Sequence, residues 1–324
     1  MKKLIDRSHC IVLLGLWLLC ATAGAQTYPA RPIQLVVPYT AGGPADAIAR
    51  PVFERVGEIL GQQVLIVNRG GSSGEIGTTS VATAPPDGYT LLLATTGANV
   101  NSIALGRPVR YTAASFQPIT MIVEIPSLLV VRPGLPIQDM KDLIAYAKAN
   151  PGKLNYGTLG TGSTPQIALK TLNRSAGLDI REIPYPGVAA VLTDFLGDRL
   201  DIMSGVVGSL APHVQAGKLR AVGLLTPGRS SVFPELRPLS ETVPGFVPVT
   251  SWIGLMAPAG TPKPIIDRLY QATAEALRSP SVAEQMRKLA ATIVANRPEA
   301  FTASINQEIA TWTEQFRLLG IGKE

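Results

Sequence analysis

The sequence predicts an α/β fold, and two observations predict it. Short apolar runs of strand length alternate with segments whose apolar residues recur every three or four positions. Glycine-rich turns recur where a run gives way to a helical segment. Strands joined by helical crossovers leave this alternation in a sequence, and it argues for a mostly parallel sheet. The chain's 324 residues suit one large domain or two of ordinary size.

The first segment is expected to stand outside that fold. Lys2, Lys3 and Arg7 form a basic start, Ile11 to Leu19 an apolar run, and Ala23-Gly24-Ala25 a small-residue end. That is the order of a secretory signal peptide, with cleavage expected after Ala25, so residues 1–25 leave the mature chain. The run falls short of the roughly 20 residues a membrane anchor needs, although an uncleaved anchor is the alternative. Lipidation at Cys20 is disfavoured by the bulky Leu19 before it.

The elements follow in order. Ile33 to Val37 reads as a buried strand, and Gly42-Gly43 breaks it. From Asp46 to Leu60, Ile48, Val52, Phe53, Val56, Ile59 and Leu60 keep helical spacing, and Gly61 is the stop. Pro51 lies inside that helix, where it removes a donor and crowds the preceding turn, so a kink is expected, or else a later start. Val64 to Val67, Thr90 to Ala94 and Leu128 to Val131 read as strands. Ile137 to Ala149 is a helix closed by Asn150-Pro151-Gly152, and Leu154 to Tyr156 is a strand. Helices follow at Thr164 to Ala176 and Val188 to Leu196, with strands at Leu200 to Met203 and Leu219 to Leu225. Two longer helices, Lys263 to Arg278 and Pro298 to Leu318, end the chain. In the last, Phe301, Ile305, Ile309, Trp312, Phe316 and Leu319 share one face.

Composition removes several function classes. Both cysteines, Cys10 and Cys20, lie in the signal, so the mature chain has no thiol chemistry and no disulfide. His213 is then the sole histidine, which leaves no basis for a zinc site, and no cofactor is expected. The charge of +6 falls by two when Lys2, Lys3, Arg7 and Asp6 leave. The remaining charges are scattered, so a nucleic-acid partner is not expected. No later segment approaches a membrane span; Ser127 to Val131 is short and bounded by Pro126 and Pro133.

The informative pattern is a repeated one. Strand, glycine-rich turn and helix start occur at Tyr39-Thr40-Ala41-Gly42-Gly43-Pro44-Ala45-Asp46 and again at Gly160-Thr161-Gly162-Ser163-Thr164-Pro165. Looser versions sit at Thr95-Thr96-Gly97-Ala98-Asn99 and Tyr185-Pro186-Gly187-Val188. A helix start leaves about four N–H groups unpaired, and the helix dipole adds roughly half a positive charge there. Pro44 and Pro165 suit the first helical turn, where a missing N–H costs nothing. The result is an anion cradle that needs no cationic side chain. A single such turn is ordinary scaffold; several at strand ends mark a ligand site. Asp46 reads either as a capping partner at the helix start or as a ligand group.

Catalytic spellings mostly fail. Gly152-Lys153 and Gly217-Lys218 are each followed by leucine, so there is no phosphate-binding Walker loop, and Gly160-Thr161-Gly162 lacks the third glycine of a dinucleotide fingerprint. Gly70-Gly71-Ser72-Ser73-Gly74 matches a nucleophile elbow, but Glu75-Ile76-Gly77-Thr78 begins no clean helix. The available base, His213, looks like a residue at a helix C-terminus. A secreted serine hydrolase using Ser72 is therefore kept only as an alternative.

Further stretches are specific enough to identify a resemblance. They are Tyr28-Pro29-Ala30-Arg31-Pro32-Ile33, Val37 to Gly43 with Asp46, Asn68-Arg69-Gly70-Gly71, Pro86 to Leu91 and Ala149 to Tyr156. Pro184-Tyr185, Leu192-Thr193-Asp194, Pro212-His213, Ala216 to Arg220 and Ala257 to Pro262 continue the series. From Tyr28 to about Gly320 the chain resembles the extracytoplasmic solute receptors of tripartite tricarboxylate transporters, the Bug family. The resemblance implies a type II periplasmic binding protein: two α/β domains with a ligand cleft between them. Domain 1 would comprise residues 26–124 and 248–324, and domain 2 residues 125–247. It implies a monomer in the periplasm that binds a small organic carboxylate and docks on membrane permease subunits. A ligand-presenting sensor for a two-component system is the alternative. No catalysis is implied.

The resemblance also assigns site residues. Tyr39, Thr40, Ala41, Gly42, Gly43, Ala45 and Asp46 would hold a carboxylate through backbone N–H groups and water. Thr161, Gly162, Ser163 and Thr164 would close on it from the other domain. Thr96, Ala98, Pro186, Gly187, Val188 and Ser204 would complete the cleft. The departures from the family pattern bear on the ligand. Pro44-Ala45 replaces hydroxyl donors, Pro186 a usual lysine, Val188 a small polar residue, and Ser204-Gly205 a common aspartate. Without that aspartate a ligand amine has no partner. The expected ligand is therefore a less polar carboxylate, aromatic ones included, with Pro186, Val188 and Ser204 as the second wall.

Overall fold

A computed structural model describes residues 28–322; the expected signal segment lies outside the described residues. Among the described residues, eleven strands form two sheets. The first holds β1 (Ile33–Val37), β2 (Val64–Asn68), β3 (Thr90–Thr95), β4 (Phe116–Glu124), β10 (Trp252–Pro258) and β11 (Thr292–Ile293), in the order β11-β4-β10-β3-β1-β2. The second holds β5 (Ser127–Val131), β6 (Asn155–Thr158), β7 (Arg181–Pro184), β8 (Ile202–Val206) and β9 (Arg220–Leu224), in the order β7-β6-β8-β5-β9. The chain crosses from the first sheet to the second between Glu124 and Ser127, and returns between Leu224 and Trp252.

The sheets are mixed, not mostly parallel. β1 pairs in parallel with β2 and β3, and β6 with β7 and β8. β10 runs antiparallel to both β3 and β4, and β5 antiparallel to both β8 and β9. Apart from the two-residue edge strand β11, which is antiparallel to β4, each reversed strand is the first one laid down after a crossing. The chain enters each sheet from the far side, so that strand runs against the strands joined by helical crossovers.

The helices largely follow the periodicity. α1 spans Pro44–Leu60 and ends at Gly61 in the left-handed conformation. It runs through Pro51 and starts earlier than expected, not later. α3 (Met140–Ala149) starts three residues later than the apolar pattern suggests, because the Asp139 carboxylate accepts from the Asp142 N–H and caps it. α4 (Thr164–Ala176), α5 (Val188–Leu196) and α7 (Lys263–Arg278) have the expected bounds, and α9 spans Pro298–Leu319. α2 (Glu75–Ala82), α6 (Val207–Gln215) and α8 (Pro280–Lys288) are additional. α2 corrects the sequence reading, since a helix does begin at Glu75. Its poor formers Gly77, Thr78 and Thr79 are held by packing. A Cβ on Gly77 would lie 2.7 Å from the Arg69 carbonyl oxygen and 2.8 Å from the Pro38 Cα. This helix is pressed against the exit of β1.

Three apolar clusters separate the layers. Ile33, Leu35 and Val37 pack with α1 through Ile48, Val52 and Phe53, and with α7 through Ile266 and Leu269. On the opposite face of the first sheet, Val36 and Leu92 join Phe301, Trp312 and Phe316 of α9. The same cluster continues into Tyr156 and Ile202 of the second sheet and Ile167 and Leu172 of α4. The far face of the second sheet packs Leu128, Val130 and Met203 on α5 and α6. No helix among the described residues is long and apolar enough to cross a membrane.

Candidate functional site

The first loop leaves β1 at Val37 and enters α1 at Pro44. The Ala47 N–H bonds to the Gly43 carbonyl at 3.0 Å and closes the first helical turn. The N–H groups of Ala45 and Asp46 precede that bond and have no helical acceptor. Thr40, Ala41 and Gly42 are exposed, Tyr39 and Gly43 are half-buried, and Ala45 is buried. The loop therefore presents backbone rather than side chain. Tyr39 turns inward, its hydroxyl 2.9 Å from Thr95 Oγ1. Burial pushes that phenol above its ordinary pKa.

Asp46 explains the loop's shape. It is 3% exposed, and its carboxylate is fully engaged. Oδ2 accepts from the Gly42 N–H at 3.0 Å and from Arg50 Nε at 2.8 Å. Oδ1 accepts from Arg50 Nη2 at 3.0 Å and from Asn68 Nδ2 at 3.1 Å. Asn68 Nδ2 also reaches the Tyr39 carbonyl at 3.2 Å. Burial pushes the Asp46 carboxyl upward, but the bonds from Arg50, the Gly42 N–H and Asn68 outweigh it and hold the pKa below the usual carboxylate value. Of the two sequence readings, the geometry supports the structural one: Asp46 braces the loop from behind. It also occupies the Gly42 N–H, which removes that group from the cradle.

The second loop joins β6 to α4. Ser163 caps α4, accepting from the Gln166 N–H, and the same hydroxyl oxygen accepts from the Leu159 N–H at 3.3 Å. The Gly162 N–H is taken by Gln166 Oε1 at 2.8 Å. Gln166 is in turn tied to Glu182 at 2.8 Å, as is the Thr158 hydroxyl. Gly162 and Ser163 thus shape this loop, while the amides and hydroxyls of Thr161 and Thr164 carry no hydrogen bond among the described residues.

The second loop is tied to the segment that follows β3 by residues that the sequence reading missed. Beyond β3 the chain forms a π-helical turn, Gly97–Asn101, and a short turn, Ser102–Ala104. Asn101 Nδ2 donates to the Gly162 carbonyl at 3.3 Å, and Arg107 Nη2 to the Thr161 carbonyl at 2.8 Å. Arg107 Nη1 pairs with Glu75 at 3.1 Å. The spacing of Asp46 and Arg50, one helical turn apart, was a readable signal. Asn101 and Arg107 offered none, since each meets its partner more than 50 residues away.

The remaining expected residues divide. Thr96 and Ala98 are buried; Thr96 Oγ1 accepts from the Trp252 N–H at 2.9 Å, and the Ala98 carbonyl from the Tyr111 hydroxyl at 2.8 Å. Both fasten the end of β3. Pro186 and Val188 are exposed, Val188 at 49%, with Gly187 half-buried between them at the start of α5. Ser204 does not join them. Along β8, Ile202 packs in the cluster shared with the first sheet and Met203 in the one under α5, so alternation turns Ser204 away from the α5 face. It lies beside the buried Tyr156 hydroxyl, whose pKa burial raises more than Ser204 lowers it. The expected wall of Pro186, Val188 and Ser204 is thus not assembled on one face.

The hydrolase alternative gains nothing from the geometry. Ser72 sits in a 3₁₀ turn at φ 45° and is exposed, and His213 lies in the last turn of α6, as expected. Neither side chain makes a hydrogen bond among the described residues.

Comparison with known proteins completes the description. Residues 48–320 match the model of the tripartite tricarboxylate transporter family receptor. Protein BugT of Bordetella pertussis is 33% identical over 325 residues, covering 98% of this chain and 99% of its own. The Rhodopseudomonas palustris protein Rpa4515, solved with adipate, superposes with a TM-score of 0.80 at 33% identity, covering 91% of this chain and 99% of its own. MatC from the same organism, solved with bound malate, gives 0.76 at 30% identity, with 89% and 99% covered.

Proposed function

Because the chain belongs to the tripartite tricarboxylate transporter receptor family, we propose that it is a periplasmic receptor that captures a small organic carboxylate and delivers it to a membrane permease. The two sheets serve as its lobes, residues 26–124 with 248–324 forming one and 125–247 the other. The carrying observation is the pair of helix N-termini, α1 and α4, at strand exits of opposite sheets, the second loop being held to the first sheet's side by Asn101 and Arg107.

The chemistry of capture follows from those ends. One carboxylate oxygen takes the Ala45 and Asp46 amides, where the dipole of α1 favours negative charge. Thr161 and Thr164 supply amides and hydroxyls from the other lobe. Closure removes water, which strengthens each of these bonds. No free cation is needed, because Arg50 is already neutralised by Asp46. Specificity comes from the third turn. Pro186 and Val188 place apolar surface there, and no aspartate follows Met203 to hold an amine. The adipate and malate held by similar proteins support a carboxylate ligand. The apolar turn favours a simple or aromatic one over an acidic amino acid.

A calorimetric and thermal-shift panel of adipate, malate, benzoate, aspartate and glutamate tests this. A ligand at a hundredfold its Kd stabilises by about 2.7 kcal/mol, which a melting curve resolves. Tight binding of aspartate or glutamate with none of the simple carboxylates would overturn the ligand class. A panel in which nothing binds would overturn capture itself.

A further inference from the structure

Resting on the two-lobe reading above, we infer that Arg107, oriented by Glu75 and assisted by Asn101, is a positioning residue that clamps the 160–162 loop onto the segment that follows β3 and so sets how tightly the lobes close. Its partners on the far side are main-chain carbonyls, those of Thr161 and Gly162. The grip therefore acts on backbone position and not on the identity of a side chain.

Three further features place the clamp between the two jaws. Glu75 Oε1 receives both Arg107 Nη1 and the Ser102 hydroxyl, each at 3.1 Å, which fixes the guanidinium so that Nη2 is free to cross. Glu75 opens α2, directly after a loop packed on the first jaw. A Cβ on Gly70 would stand 3.2 Å from the Thr40 nitrogen, and one on Gly74 3.3 Å from the Tyr39 ring. On the other jaw, Gly162 rests on Leu105 so closely that a Cβ there would lie 2.3 Å from Leu105 Cδ1, and its φ is +76°. A continuous set of contacts thus runs from Tyr39 and Thr40 through Gly74, Glu75 and Arg107 to Thr161. Arg107 and Glu75 are each less than a third exposed, so solvent screens their attraction only in part. A shift of the first jaw on taking a ligand moves Glu75, and with it the hand that holds the second jaw.

Amide hydrogen exchange and small-angle scattering on the purified protein, without ligand, test the clamp. Arg107→Met is expected to speed exchange at residues 160–164 by about tenfold and to raise the radius of gyration, leaving protection in β4 and β10 unchanged. Arg107→Lys reaches one partner but not both, and should fall between parent and Met. Should Arg107→Met not fold, Glu75→Gln gives the same reading, because it releases the guanidinium whose other nitrogen holds Thr161. Parent-like exchange and radius in a folded variant would overturn the proposal. An adipate and benzoate titration in parallel separates it from the capture reading. If neither ligand binds yet Arg107→Met loosens the loop, capture fails and the clamp stands. If one binds and Arg107→Met alters neither loop exchange nor Kd, the clamp fails and capture stands.

Discussion

At the level of single residues, the buried Asp46 and the half-buried Glu308 have carboxyl pKa values shifted in opposite directions. Asp46 is surrounded by donors, and its pKa lies below the usual value of about 4. A depressed acid stabilises the fold above its unfolded pKa and loses that contribution as pH falls through the folded value. Asp46→Asn should therefore melt several degrees below the parent at pH 7, and the gap should close on acidification toward pH 3. Glu308 is the reverse. The Trp252 indole N–H donates to both its oxygens at 3.1 and 3.0 Å and Ser304 Oγ to one at 3.3 Å, but no cation among the described residues pairs with it. Burial raises its pKa, more than Trp252 and Ser304 lower it, and the charge of Glu124 adds to the rise. A raised acid gives its full stability below the unfolded pKa and loses it as pH rises through the folded one. Relative to Glu308→Gln, the parent should gain melting temperature on acidification from pH 8 to pH 4. Tryptophan fluorescence should follow the same titration through Trp252. The sequence disclosed these two roles to different extents. Asp46 showed its position at a helix start, but Asn68 and the Gly42 amide reach it only in the folded loop, and Glu308 resembles any exposed residue of an amphipathic helix.

Elements were legible where period and punctuation agreed. α4, α5 and α7 carry an apolar stripe between a start signal and a stop, and their bounds follow from it. β4 and β10 escaped because each contains a residue that argues against a strand. Pro118 lies within β4 opposite Met256, beside a register shift. Gly254 lies within β10, where Phe301 of α9 covers it: a Cβ would meet the ring at 2.4 Å and the Thr120 carbonyl at 3.0 Å. The glycine lets a helix lie flat on the strand that closes the first sheet. Gly254→Ala should cost about 1–3 kcal/mol by overpacking, measured by urea unfolding with an unchanged slope. An equal-sized loss at half-buried Gly187, where a Cβ meets nothing within 4 Å, would contradict this account.

At the scale of the molecule, the alternation of elements disclosed the α/β class but not the layering. The middle apolar cluster belongs to both sheets at once: Phe301 and Trp312 from one side, Tyr156 and Ile167 from the other. No periodicity within a segment could reveal that sharing, because it arises between residues as far apart as Tyr156 and Trp312. A shared cluster couples the halves, so thermal unfolding should give one transition, coincident by circular dichroism and fluorescence. Two separated transitions would show that the sheets melt independently. The reversed strand β10 has a consequence for biogenesis. It fits between β3 and β4, yet it is synthesised long after either. A ribosome that has delivered residues through Leu224 has supplied every strand of the second sheet, while the first still holds an empty slot with two bare edges. Until the late strand arrives the incomplete sheet is exposed to mispairing, since such edges recruit foreign chains. Ribosome-arrested fragments ending near residue 250 should accordingly resist protease across residues 127–224 and be cut readily before residue 124.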